Sequence, residues 1–367
     1  MINLKKSIFL CNTVYQVLVA VWIKYSELEN KDTDIIISNH MNGYINIAEN
    51  IKKTNLFQNV YTVDSLSYSR FEIEYSNKAE RLFSKMFPAF ELQKYIILQN
   101  DYDELFIANM DSFSQLLFSA LSKKSNIKLN IFEDGLSTYS CLFKDFYEKK
   151  CPPVNRYKNI LFCKICRNKY IYPNADAFYV FKSDAMQWTP GCEINELKPI
   201  SCDTSFKNLI NIIFNYDNMT DIYDKKYIYF EESFYADSGY MEDVELVEKI
   251  AECVGKDNIM IKIHPRNPKN RFEKLGYKTN KDTSIPWEII LLNNDFSDNV
   301  LITIASTSII NPRLIFNKKM KSFSLINCLK EKPEILEGEL SKCVMSFYEF
   351  YSDSINVCKS IEDIVTD

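Results

Sequence analysis

His264 is one of two histidines in the chain, and it closes the run Asn258-Ile259-Met260-Ile261-Lys262-Ile263, with Pro265 and Arg266 directly after it. An apolar alternating run of that length describes a buried strand. A strand that stops on an imidazole before a proline delivers a titratable group to the carboxyl edge of its sheet, where ligands collect in open α/β folds. Imidazole changes charge near neutral pH, so it can move a proton or complement a phosphate. A capped structural histidine leaves the same pattern, so the argument turns on its companions.

Three other clusters fall at predicted strand or helix ends. Phe132-Glu133-Asp134-Gly135 places two carboxylates on a turn, and Gly135 permits positive φ there. A carboxylate held in a cleft near other charge can acquire the proton affinity of a base, although a solvated Asp-Gly turn looks the same in sequence. Ala305-Ser306-Thr307-Ser308 offers hydroxyls and free backbone N–H groups at a helix start, which suits an anion. A simple N-cap uses the same residue types but needs only one of them. Pro286-Trp287-Glu288 sets a carboxylate where it can accept from ribose hydroxyls, or merely complement a helix dipole. No P-loop and no GxGxxG occurs, which disfavours NTP hydrolysis and dinucleotide redox chemistry.

The elements that must position these groups alternate. Strands are expected at Ser7–Cys11, Asp34–Ser38, Val60–Val63, Glu104–Ala108, Lys128–Phe132 and Ala177–Phe181, with helices at Val14–Glu27, Ile45–Lys53 and Ser112–Lys123 between them. Pro190, Gly191 and Pro199 then break the pattern, and Asn208–Asp224 reads as the end of one domain and a linker. The rhythm restarts with strands at Lys226–Phe230, Asn258–Ile263, Val300–Ile304 and Lys321–Leu325. Helices at Asp243–Val254, Trp287–Leu292, Ser308–Phe316 and Ser360–Val365 accompany them. Such a βαβα order implies parallel sheets covered on both faces. The expected fold is α/β: two Rossmann-like domains, residues 1–215 (with the linker from near 205) and 216–367, with a cleft between them.

Composition narrows the class. The chain has 367 residues, a net charge of −5, 46% apolar and 25% charged residues, which is globular and lacks the basic stripe of a nucleic-acid binder. Its eleven cysteines include one CxxC pair, Cys163 and Cys166, with no second pair at ligand spacing, so no metal site is expected. Scattered thiols suit a reducing compartment. No signal sequence and no uninterrupted apolar stretch of ~20 residues is evident. The expected location is the cytoplasm, with room for peripheral attachment to the inner face of the cell membrane.

Taken together, Glu133-Asp134-Gly135, His264-Pro265 and Ser306-Thr307 resemble the acidic, HP and S-S/T motifs of bacterial sialyltransferases with the GT-B fold. The run Phe9-Leu10-Cys11-Asn12-Thr13-Val14-Tyr15-Gln16-Val17-Leu18 and the stretch Lys262-Ile263-His264-Pro265-Arg266 resemble glycosyltransferase family 52, which holds lipooligosaccharide and capsule sialyltransferases. The resemblance implies that the donor is CMP-sialic acid and that no cofactor or metal is required. It implies a galactose-terminated glycan acceptor and, weakly, a homodimer. It casts Glu133 as the acid that deprotonates the acceptor hydroxyl and His264 as partner of the leaving phosphate. Ser306 and Thr307, with Ser308 beside them, would bind that phosphate, and Glu288 would hold the ribose. Lys262 and Pro265 belong to the same donor-binding stretch. Family 52 itself points instead to an aspartate early in the second domain, matched by Asp237, so Glu133, Asp134 and Asp237 all stand as candidate bases. Two other readings stay open: a GT-B transferase using another nucleotide sugar such as a UDP-hexose, and a non-catalytic glycan- or nucleotide-binding capsule protein.

Overall fold

The computed structural model describes residues 6–75, 77–149, 157, 161, 163–171, 174–217, 223–280, 282–283, 285–336 and 338–366. They form two compact units, 1–198 with 208–215, and 199–207 with 216–367. Residues 199–207, expected in the first domain, group with the second unit. The Ile200 N–H donates to the Ile315 carbonyl at 2.8 Å, and Lys207 Nζ to the Asn293 carbonyl at 3.2 Å.

The first unit is built on a seven-stranded sheet in the order β3-β2-β1-β4-β5-β6-β7. Its strands are β1 (Ser7–Cys11), β2 (Thr33–Ser38), β3 (Val60–Val63), β4 (Glu104–Ile107), β5 (Lys128–Phe132), β6 (Ala177–Val180) and β7 (Glu193–Glu196), and every pairing is parallel. β1, β2 and β4 are buried at every position, as a sheet covered on both faces requires. Phe9 of β1 stacks on Phe106 of β4 at 4.4 Å and meets Phe132 of β5 edge-on at 5.7 Å, which locks the three central strands together.

The second unit repeats the plan with six parallel strands in the order β10-β9-β8-β11-β12-β13. These are β8 (Tyr227–Phe230), β9 (Ile259–Lys262), β10 (Lys278–Thr279), β11 (Val300–Thr303), β12 (Lys321–Ser324) and β13 (Ile355–Val357). In each sheet the winding reverses beside its first strand, between β1 and β4 and between β8 and β11. That reversal splays the following connections apart and opens a crevice at the strand carboxyl ends.

The strands expected from periodicity are present to within a residue or two at each end. The structure corrects the reading elsewhere. Asn208–Asp224, expected as the end of the first domain and a linker, does begin with residues 208–215 of the first unit, but these lie in an unexpected helix, Thr204–Phe214, which buries Phe206, Ile210, Ile213 and Phe214. The expected helix Ser308–Phe316 is a 3₁₀ turn, Thr307–Ile309, followed by a short helix, Asn311–Phe316, with Pro312 in its first turn. The helix Glu339–Phe350 and the strands β7, β10 and β13 carried too little pattern to be expected. Among the described residues no helix is long and apolar enough to cross a membrane.

Candidate active-site residues

In the first unit the polar groups converge on the switch between β1 and β4. Thr13 caps the helix Val14–Ser26, its hydroxyl accepting from the Gln16 N–H at 3.1 Å. That cap points Gln16 back across the strand ends. Its Nε2 donates to Asp134 Oδ1 at 2.9 Å and also to Asn109 Oδ1, while Asn109 Nδ2 donates to Asp134 Oδ2 at 3.0 Å. Asp134 is half-buried, and burial pushes its carboxyl above the ordinary range while the two amide donors hold it down in part. Gly135, at φ +67°, turns the chain immediately afterwards. No atom lies within 4 Å of the Cβ it lacks, so its backbone conformation alone requires glycine.

Glu133 is enclosed. It is 0% exposed and accepts from Tyr15 OH at 2.7 Å, from Tyr139 OH, and from the Phe181 N–H at 3.0 Å. Burial raises its carboxyl to about 7 against these donors. The acid pair is thereby divided: Glu133 ties the end of β5 to three other segments, and Asp134 is the member that reaches the surface.

In the second unit a pair of acids that the sequence reading passed over occupies the switch point. Glu231 and Glu232 follow β8 directly. Glu231 accepts from the His264 N–H at 3.1 Å with one oxygen and from Arg271 at 2.7 Å with the other. Arg271 also pairs with Asp243 at 2.9 Å, making a buried acid–base–acid triad. Glu232 reaches across to β11, where its Oε1 accepts from Thr303 Oγ1 and from the N–H groups of Ile304 and Ala305 at 2.8 and 2.9 Å. Its Oε2 is buried without a hydrogen-bond partner among the described residues, and burial raises the carboxyl to about 7. The available signal was an acid pair ending an apolar strand, the same pattern as Glu133-Asp134.

His264 is half-buried at the end of β9. Its Nδ1 accepts from the Arg266 N–H at 3.2 Å. Burial lowers its pKa to about 4, aided by the charges of Arg266 and Lys262 and opposed by Asp237. The ring is therefore neutral at pH 7. With Nδ1 accepting, the proton resides on Nε2 and is available to a ligand. Asp237 is exposed in the short helix Phe234–Ser238, ion-paired to Arg266 at 3.2 Å and accepting from Ser233 Oγ at 2.6 Å. Arg266 thus links Asp237 to His264. Pro265 is exposed beside them.

The donor-side hydroxyls are partly spent. Ser306 Oγ accepts from the Ser308 N–H at 3.2 Å and bonds Ser308 Oγ at 3.0 Å, whereas Thr307 is exposed. The Ser306 N–H is directed to Thr303 Oγ1 at 3.2 Å, which ties this turn to Glu232. Glu288 opens the helix Trp287–Asn293 and accepts from Asn311. Burial raises its carboxyl while Lys262 lowers it. The buried Lys262 thus bears electrostatically on both His264 and Glu288.

Two parallel sheets wound in the Rossmann order, each with its polar groups at the strand carboxyl ends, define a GT-B architecture. Solved structures with this fold are similar over essentially the whole chain. Spinosyn forosaminyltransferase SpnP matches with a TM-score of 0.53 at 10% identity, covering 99% of this chain and 88% of that one. Spinosyn rhamnosyltransferase SpnG, complexed with thymidine diphosphate, matches at 0.51 and 9% identity over 99% and 88%. LpCGTa in complex with UDP matches at 0.51 and 9% over 100% and 91%. At such identities the likeness is one of fold. No curated protein sequence matches the chain. The profile of the alpha-2,8-polysialyltransferase (POLYST) family matches residues 7–324, from the first residue of β1 to the last of β12. The chain belongs to that family and is a glycosyltransferase of the sialyltransferase type.

Proposed function

We propose that the chain moves sialic acid from CMP-sialic acid to a sugar hydroxyl, with inversion at the anomeric carbon and without a metal ion, in keeping with its resemblance to family 52. The family match across both sheets carries this reading. In the proposed step the acceptor oxygen bonds to the anomeric carbon as the bond from that carbon to the CMP phosphate oxygen breaks. The electron pair leaves with CMP, and the acceptor proton passes to a carboxylate. Asp134 is assigned as that base because it reaches the surface, whereas Glu133 is enclosed and occupied by three donors. A positioned base contributes about 10²–10⁴-fold.

His264 is assigned to the leaving phosphate as a neutral Nε2–H donor, with Thr307 and the Ser306–Ser308 turn beside it. Lys262 and Glu288 are assigned to the CMP moiety, the carboxylate to its ribose hydroxyls. CMP carries a single phosphate, so no metal is needed to bridge a diphosphate.

The family description favours a sialic acid hydroxyl as acceptor, and the sequence resemblance favours galactose. Incubating the purified chain with CMP-sialic acid or UDP-hexoses, each against galactose-terminated and sialic acid-terminated oligosaccharides, tests both points. Transfer from CMP-sialic acid is expected, and the acceptor consumed decides the second question. Transfer from a UDP-hexose alone overturns the donor assignment.

A further inference from the structure

One helix of the first unit is turned inside out. Among the described helices Lys78–Met86 has the strongest segregation of apolar from polar residues, yet Ser84 is its only fully buried residue. Amphipathic surface helices ordinarily turn their apolar stripe to the core. Here Leu82, Phe83 and Met86 are 48%, 45% and 41% exposed. At 100° per residue they share one face with Ala79, and Ser84 lies on the opposite side. The stripe continues past the helix through Phe87 and Phe90, 48% and 55% exposed. The Phe83 ring lies 4.8 Å from that of Phe87 and 5.9 Å from that of Phe90, so the aromatics form one contiguous projection.

The charges around this projection decide what it fits. Lys78 and Lys85 lie along one edge of the apolar face and the exposed Glu80 along the other, and Lys94, ion-paired to Glu91 at 2.7 Å, lies 5.8 Å from the Phe90 ring centre. Asn168 Nδ2 donates to the Lys85 carbonyl, which ties the segment bearing exposed Lys164, Ile165 and Arg167 to this helix. Ile165 is 73% exposed. The chain as a whole carries −5, so a basic, aromatic face is a local exception. Lys78, Lys85, Lys164 and Arg167 outweigh Glu80 around the stripe, and an outward apolar stripe with such a surplus of cations is the pattern of a helix lying in the plane of an anionic bilayer, with the apolar groups at the acyl boundary and the cations at the headgroups.

We infer that the face formed by Leu82, Phe83, Met86, Phe87 and Phe90 docks the protein onto an anionic lipid surface. This inference is independent of the donor assignment. Sedimentation of the full chain with vesicles tests it, comparing phosphatidylcholine alone with an equal mixture of phosphatidylcholine and phosphatidylglycerol. The chain is expected to bind the mixed vesicles and to release them at high salt. The variant Phe83→Ser, Phe87→Ser, Phe90→Ser is expected to lower that binding by about tenfold or more. Lys78→Gln with Lys85→Gln is expected to weaken it selectively on the anionic vesicles. These side chains are exposed, and an unchanged melting temperature and unchanged transfer to a soluble acceptor show that the variants fold. Absence of vesicle binding, or binding unaffected by the serine variant, overturns the inference. So does a wild-type dimer, measured by light scattering, that the serine variant dissolves, because the face then joins two copies of the chain.

Discussion

The Arg266 N–H donates to Nδ1 of His264 at 3.2 Å, and this one bond sets which nitrogen of the imidazole faces a ligand. Burial and the Arg266 and Lys262 charges hold the ring at a pKa of about 4, so it works as an uncharged Nε2–H donor. The kcat/KM profile of the wild type is therefore expected to show no inflection near pH 6.5 that belongs to His264. An inflection there that disappears in His264→Asn would show that the free enzyme uses the imidazolium. His264→Ala is expected to lower kcat about 10²-fold while CMP still binds.

The division of the acid pair predicts unequal variants. Asp134→Asn removes the base and is expected to lower kcat by about 10²-fold or more. Glu133→Gln keeps an acceptor for the Phe181 N–H and Tyr139, and the Tyr15 hydroxyl can rotate to accept, so turnover is expected to stay within about tenfold of wild type. Steady-state kinetics decide the matter, and the reverse order of losses makes Glu133 the base.

Glu232 predicts a pH-dependent stability. Its folded pKa is raised from 4.5 to about 7, so between those values the folded protein holds a proton that the unfolded chain has lost. Stability is therefore lost as pH rises through this window, with the loss complete above about 7. Glu133 acts in the same direction. His264, depressed from 6.5 to about 4, acts in the opposite direction and costs stability as pH falls. Thermal melts of Glu232→Gln are expected to show a smaller fall between pH 5 and pH 8 than wild type, the pH range being approximate. Glu232→Ala strands three donors from Thr303, Ile304 and Ala305 and is expected to cost about 3 kcal/mol or more. An unchanged pH dependence in the glutamine variant would exclude Glu232 as its source.

The triad around Arg271 predicts the effect of removing its cation. Arg271→Met leaves Glu231 and Asp243 buried without their partner, which is expected to cost about 3–5 kcal/mol in denaturant unfolding. Because Glu231 also accepts from the His264 N–H, Glu231→Gln, which leaves an amide in place, is expected to lower kcat with less loss of stability. A loss of stability alone, with kcat unchanged in the folded fraction, would confine the triad to a structural role.

Much of this was legible along the chain. The two α/β halves, the central strands and the strand-end placement of Glu133-Asp134 and His264 follow from apolar runs and the breaks that end them, and these are local properties. The helix Thr204–Phe214 was hidden because its buried positions are diluted by asparagine and lysine. Glu231-Glu232 escaped notice although they end β8 as Glu133-Asp134 end β5. The difference is that no glycine follows to mark a turn.

Alternation, helical spacing and turn residues act over a few positions, so the fold class and most of the candidate residues can be read along the chain. What surrounds each group depends on contacts between distant segments. Glu133 is enclosed in part because Tyr15, 118 residues away, reaches it, and Asp134 accepts from Gln16 at the same separation. Glu232 matters because β8 and β11 lie side by side, 71 residues apart at Thr303. The helix Lys78–Met86 is amphipathic in sequence, but packing alone turned its apolar face outward. Burial, proton affinity and exposure are set by neighbours distant in the chain, and no local pattern encodes them.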